Sequence, residues 1–170
     1  MSWVAIIVAL VAIQRGLELV HARRNTAALI ARGATEVGAG HYPLFIVLHG
    51  AWLVSLLLLV PAERTPSWPW LGLFIALQLC RLWIIASLGP YWTTRILTLP
   101  EAPLVRRGPY RVMRHPNYAV VAAEIAVLPL VFGAWRIALI FSVLNAAHLA
   151  WRIRVEKSAL VPRRQSTAQG

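Results

Sequence analysis

Five runs of apolar residues dominate the chain, at 2–20, 42–60, 68–88, 118–132 and 134–151. A bilayer core about 30 Å thick needs roughly 20 apolar residues of helix, and the first three runs meet that length. The last two are shorter and meet across a single Gly133. This pattern predicts an all-α integral membrane protein with five transmembrane helices, the last two forming a tight helical hairpin. Four spans with a re-entrant hairpin are the alternative. Residues 1–160 are expected to form one membrane-embedded domain, and 161–170 a disordered tail.

The polar breaks are unequal. Pro61, Pro66 and Pro69 make the loop between the second and third runs a short, stiff turn. The loop at 89–116 is too long for a simple connector and too apolar for a disordered one. Its Thr94-Arg-Ile-Leu-Thr-Leu stretch is β-like, and Pro100, Pro103 and Pro109 block continuous helix. Loops longer than about 12–15 residues are usually functional or disordered, and this one is expected to be functional. It ends in Arg106-Arg-Gly-Pro-Tyr-Arg-Val-Met-Arg-His-Pro-Asn-Tyr118.

Composition strengthens the membrane reading. Apolar residues make up 59% and charged residues 14%, where a soluble domain carries about 45–50% and 25%. Lys and Arg number 17 against six acidic residues, all Glu, for a formal charge of +11. These cations flank the apolar runs, so they orient a membrane protein rather than bind nucleic acid. Arg23, Arg24 and Arg32 follow the first run. Arg95, Arg106, Arg107, Arg111 and Arg114 follow the third, and Arg152, Arg154, Lys157, Arg163 and Arg164 follow the fifth. The other side holds only Arg64 and Arg136. The positive-inside rule then places the protein in the cell membrane, N-terminus outside and C-terminus cytoplasmic. Trp68, Trp70, Tyr91 and Trp92 bracket the third run as interfacial aromatics do.

Cys80 is the only cysteine, which excludes an intramolecular disulfide and a cysteine zinc cluster; it reads as a small buried residue. The N-terminus lacks a basic leader region, and Arg15 and Glu18 stand where a cleavage site would lie, so the first run reads as a retained helix. No phosphate loop, complete Gly-x-Gly-x-x-Gly, Gly-x-Ser-x-Gly or His-Glu-x-x-His occurs. The scattered histidines give no metal site.

Ionisable residues within a membrane usually face the bundle interior. Asn145, His148, Arg152 and Glu156 are spaced three, four and four apart, so they share one helical face. A surface Arg152–Glu156 ion pair and a functional site both fit that spacing. Glu124 needs a partner, with Arg81 and Arg152 the candidates. Arg15 and Glu18 lie one turn apart and are expected to satisfy each other near the cytoplasmic interface. His41 marks the start of the second helix; His49 can face the bundle, but as a lone histidine it reads as a hydrogen-bonded structural residue. His115 precedes Pro116, which suits the first turn of a helix. The imidazole therefore stands at a helix start, where the dipole favours anions. Arg111 and Arg114 add charge there. A basic loop contacting lipid headgroups is the other reading.

Gly108-Pro-Tyr-Arg-Val-Met-Arg-His-Pro-Asn-Tyr118, followed by a hairpin and Arg152-Ile-Arg-Val-Glu156, resembles the isoprenylcysteine carboxyl methyltransferase family over roughly residues 75–160. The segment Glu36-Val-Gly-Ala-Gly-His-Tyr-Pro43 is similar to a shorter bacterial branch associated with type III polyketide synthases and alkylpyrone O-methylation. The resemblance implies a membrane enzyme that takes its methyl group from S-adenosylmethionine, without a Rossmann domain, in a cofactor site at the cytoplasmic C-terminal end. It implies that Tyr110, Arg114, His115, Pro116, Tyr118 and Glu156 bind the cofactor. It gives Arg152 and Glu156 the catalytic roles, and Arg152 is joined at the acceptor by Asn145 and His148 of the same helical face. Many relatives carry a second Glu after the first, where this chain has Lys157.

The expected reaction is methylation of a carboxylate or acidic hydroxyl on a lipophilic acceptor, isoprenylcysteine-like or alkylpyrone. The expected partners are the bilayer and that acceptor, with a type III polyketide synthase as pathway neighbour. A lipid amine methyltransferase, a sterol-type reductase and a non-enzymatic membrane scaffold are the rivals.

Overall fold

Five helices take up the five apolar runs in the computed structural model: α1 (Trp3–Ala31), α2 (Tyr42–Leu59), α3 (Trp68–Leu88), α4 (Pro116–Val131) and α5 (Trp135–Thr167). The structure describes residues 2–37, 42–99 and 105–167, the side chains of Tyr42 and of 156–167 excepted. His41 and the segment 38–40 lie outside the described residues.

Local chemistry sets the helix ends. The Ser2 hydroxyl caps α1 by accepting from the Ala5 N–H at 3.5 Å. The helix then runs for 29 residues, eleven beyond the run predicted to end at Val20, because Arg23 and Arg24 are good helix residues on an exposed face and the half-buried Asn25 is a tolerable one. At 1.5 Å per residue α1 reaches about 43 Å, longer than a hydrocarbon core. Pro69 and Pro116 stand in the first turns of α3 and α4, where no N–H partner is needed. Gly133 takes φ 67° between α4 and α5, a left-handed conformation that closes the hairpin in one short turn. The helix α5 continues to Thr167, into the segment expected to be an unstructured tail.

Helix α4 packs between α3 and α5, while α2 packs on α1 and α5. Val4, Val8, Trp52, Leu56, Ile125 and Leu128 fill the core between them. The outside is apolar too: Leu17, Leu58, Leu79 and Val143 are each at least 60% exposed. An outer surface this apolar suits hydrocarbon surroundings. Helices α1, α3 (extended to Tyr91) and α5 (to Val155) are long and apolar enough to cross a membrane; α2 and α4 are shorter apolar helices. Cys80 is exposed on α3 rather than buried, because the polar face of this helix is turned inward by Arg81.

The loop after α3 is held at several points. A 3-10 turn, Gly89–Tyr91, prolongs the helix. The Asn25 side chain donates to the Gly89 and Trp92 carbonyls at 3.1 and 2.9 Å, which ties α1 to this turn. Trp92 is 2% exposed beside Ala22 and Ile84, so it is a core residue and not the interfacial aromatic expected. Of the β-like stretch, Leu97–Thr98 (β2) pairs antiparallel with Thr35–Glu36 (β1). An Arg95–Glu36 ion pair at 2.7 Å closes that ribbon.

The Arg107 guanidinium donates to the Ser87 carbonyl at 2.8 Å. Gly108 follows at φ 56°, pressed so closely on α3 that a Cβ would collide with the Ser87 hydroxyl. Both the backbone angle and the contact exclude other residues. Gly108→Ala is therefore expected to lower the thermal unfolding midpoint by several degrees in detergent, whereas the exposed Gly72→Ala leaves it within one degree or raises it.

Candidate active site

Two cavities lie on either side of one wall. The first, of about 230 Å³, is lined by the loop after α3, the ribbon strand β2, the Arg-His-Pro segment and α5. It holds Tyr91, Arg95, Tyr110, Arg114 and His115. The second, of about 260 Å³, runs between α1, α2, α3, α4 and α5 and is mostly apolar, with Phe45, Ile46, Leu53, Val121 and Leu149 among its walls. Trp92, Thr93, Asn117, Tyr118 and Arg152 line both.

Arg152 is the centre of that wall. Its side chain leaves α5, is 7% exposed, and donates through Nε to the Tyr118 hydroxyl at 3.0 Å. It also donates to the Thr94 carbonyl at 2.7 Å and lies over the Tyr118 ring. Among the described residues it meets no carboxylate. The Tyr118 ring is in turn stacked on the His115 imidazole, with centroids 5.1 Å apart and planes 5° off parallel. Position His115, the N-cap of α4, and Tyr118 one turn later make this stacking possible.

The predicted site residues thus divide. Tyr110, Arg114, His115, Tyr118 and Arg152 come together around the polar cavity. Pro116 is buried in the first turn of α4 and lines neither cavity. Asn145 and His148 are buried on the Arg152 face of α5, at 1% and 4% exposure, and line neither cavity. The His148 ring packs against Phe45 and Trp151. Glu156 continues that face one turn beyond Arg152, and its side chain lies outside the described residues.

A network of four charges borders the apolar cavity, with Arg15, Glu18 and Arg81 in its lining and Glu124 paired to them. Glu124 takes Arg81 and Arg15, each at 2.9 Å, and the Gln78 amide at 2.9 Å. Glu18 takes Arg81 at 2.8 Å, Arg15 at 3.0 Å and the Gln14 amide at 3.0 Å. Of the two partners expected for Glu124, Arg81 is present and Arg152 is not; Arg152 donates instead to the Tyr118 hydroxyl and the Thr94 carbonyl. Arg15 and Glu18 do not merely satisfy each other; they join α1 to α3 and α4. Two cations and two anions leave the cluster neutral, which is how four ionised groups persist inside a membrane bundle.

Sequence reasoning did not place Thr93, Thr94 and Asn117 at the wall, and it read His49, which lines the apolar cavity, as a hydrogen-bonded structural histidine. Asn117 was visible inside the motif. Thr93 and Thr94 stand in a loop, and His49 is a lone histidine in an apolar run.

A family model described as the isoprenylcysteine carboxyl methyltransferase (ICMT) family matches residues 70–162. That span contains the whole Arg-His-Pro segment, Tyr118 and Arg152. The chain is 41% identical over 165 residues to the uncharacterized protein YpbQ of Bacillus subtilis, covering 94% of this chain and 96% of that one. It is 30% identical over 142 residues to an uncharacterized protein of Haemophilus influenzae, covering 81% and 83% respectively. No solved structure matches the chain significantly. With the motif, the paired cavities and the family match in agreement, this multi-pass membrane chain belongs to the isoprenylcysteine carboxyl methyltransferase family.

Proposed function

We propose that the chain is an S-adenosylmethionine-dependent O-methyltransferase that holds its donor in the polar cavity and a lipophilic acceptor in the apolar one. The shared wall carries this reading: Arg152, with a charge no described carboxylate neutralises, borders both cavities. The residues present suit the donor. Tyr91 and Tyr110 offer aromatic surface for a purine, and Arg114 a cation for a carboxylate. The Asn117 side-chain oxygen is buried at the wall without a protein hydrogen-bond partner, which suits an ammonium group.

When bound, S-adenosylmethionine supplies an electrophilic methyl group, so the protein's task is chiefly alignment. Tyr110, Arg114, His115, Tyr118 and Glu156 hold the donor, and Pro116 sets the start of α4 that carries them. Arg152 binds the acceptor oxygen through charge-assisted hydrogen bonds. Glu156 helps position the reacting groups. Asn145 and His148 back the acceptor cavity, His148 through Phe45. An amine acceptor is disfavoured, because the ammonium product would face the Arg152 guanidinium.

In this reading residues 1–160 act as one membrane-embedded unit, with the donor cavity and C-terminus on the cytoplasmic side. The acceptor reaches its cavity laterally from the bilayer; an isoprenylcysteine-like carboxylate and an alkylpyrone enol are the two types considered. The test supplies methyl-labelled S-adenosylmethionine and a membrane lipid extract to the protein in lipid nanodiscs. Label passing into the organic phase supports the reading. No transfer from protein shown to be folded, across extracts and long-chain phenols, enols and acids, contradicts it.

A further inference from the structure

We infer that His49 is a catalytic residue that accepts the proton of the methyl acceptor, and that the acceptor is therefore a neutral hydroxyl compound, a phenol or enol on a hydrocarbon chain. The inference rests on the methyltransferase reading of the two cavities.

His49 stands on α2 and lines the apolar cavity that also contains Arg152. Its Nδ1 is 2.9 Å from the Phe45 carbonyl. A carbonyl oxygen only accepts, so Nδ1 carries the proton and the neutral ring keeps its lone pair on Nε2. The Phe45 ring lies 4.1 Å away and Trp52 meets the imidazole edge-on, which sets the ring plane. Among the described residues the ring's hydrogen bond is the one made by Nδ1, and none is made to Nε2.

The other ionisable groups of this cavity cannot do the same work. Arg15, Arg81 and Arg152 have no lone pair to offer. Both oxygens of Glu18 accept from Arg15 or Arg81 and are held by ion pairs. Among the described lining residues, His49 alone combines a vacant lone pair with the capacity to take a proton.

That pairing selects the acceptor. A carboxylate is already ionised and would set its negative charge against the Nε2 lone pair. A phenol or enol donates its hydrogen bond to Nε2 and places the oxygen towards Arg152, which stabilises the negative charge as it develops. The step balances: the oxygen–methyl bond forms as the carbon–sulfur bond of the sulfonium donor breaks, the electron pair stays on sulfur, and the hydroxyl proton passes to Nε2.

The test uses the full chain in nanodiscs with two variants. His49→Asn keeps a donor for the Phe45 carbonyl and removes Nε2. His49→Gln keeps a polar group near Nε2 that cannot take a proton. The probes are 3-pentadecylphenol, neutral near pH 7 because a phenol ionises at about pH 10, and 4-pentadecyl-2-nitrophenol, acidic enough to ionise unaided. Both variants should lose about a hundredfold in turnover of the first probe, in the range of general-base catalysis, and stay within a few-fold on the second. Calorimetric binding of 3-pentadecylphenol should weaken about tenfold in His49→Asn while S-adenosylhomocysteine binding is unchanged.

Equal losses on both probes would make His49 structural and overturn the inference, as would no loss on the neutral one. Wild-type preference for hexadecanoic acid over the phenol would overturn it too. Absence of S-adenosylhomocysteine binding in the wild type would instead remove the methyltransferase reading itself, and the inference with it.

Discussion

Replacing Arg152 by Gln lowers the rate of methyl transfer by about a hundred- to a thousandfold, the range seen when one donor to a developing oxyanion is removed. The fold should persist, because the guanidinium is tied to the Tyr118 hydroxyl and the Thr94 carbonyl rather than to a described carboxylate. Gln leaves no buried counter-charge stranded among the described residues, so the loss is catalytic. Arg152→Lys keeps the charge but not the two-sided grip, and should fall between wild type and Gln. Single-turnover transfer of labelled methyl at saturating donor measures this directly. A rate within threefold of wild type in Arg152→Gln would remove Arg152 from the chemistry.

The second large effect is on stability. Arg81→Met leaves Glu18 and Glu124 sharing Arg15 alone in a site where Arg81 and Glu124 side chains are 5% and 3% exposed. Removing one member of a buried ion pair costs about 3–5 kcal/mol. The charge-balanced double variant, Arg81→Met with Glu124→Gln, keeps the Arg15–Glu18 pair of α1 intact. It should cost clearly less than the sum of its two single variants, by about 1 kcal/mol or more. Equilibrium unfolding in mixed micelles, scored as a double-mutant cycle, decides the matter. Strict additivity would mean that the four groups do not act as one cluster.

The charge cluster also shows what a sequence can and cannot disclose. The lengths of the apolar runs placed the five helices, and Gly133 between two of them announced the hairpin between α4 and α5. Run length could not carry α1 on to Ala31, because His21, Arg23, Arg24 and Asn25 break the apolar run while remaining helical. Glu124 in an apolar run signalled a need for a partner. The choice of Arg81 over Arg152 depends on contacts between residues 43 positions apart, which no local pattern encodes. The Arg-His-Pro segment stood out by its polarity, and five residues of it (Tyr110, Arg114, His115, Asn117 and Tyr118) line one cavity with Arg152. Thr93, Thr94 and His49 gave no such signal. They become site residues only when α1, α2 and α5 meet around the apolar cavity.

The division of labour between two cavities is tested most directly by calorimetric titration of the purified protein with S-adenosylhomocysteine. Two variants accompany it: His115→Ala on the polar side, and Leu53→Trp, which fills the apolar one. The account predicts saturable binding in the wild type, loss in His115→Ala, and retention in Leu53→Trp although that variant no longer methylates. No binding to folded wild-type protein, or binding lost in Leu53→Trp and kept in His115→Ala, would contradict it.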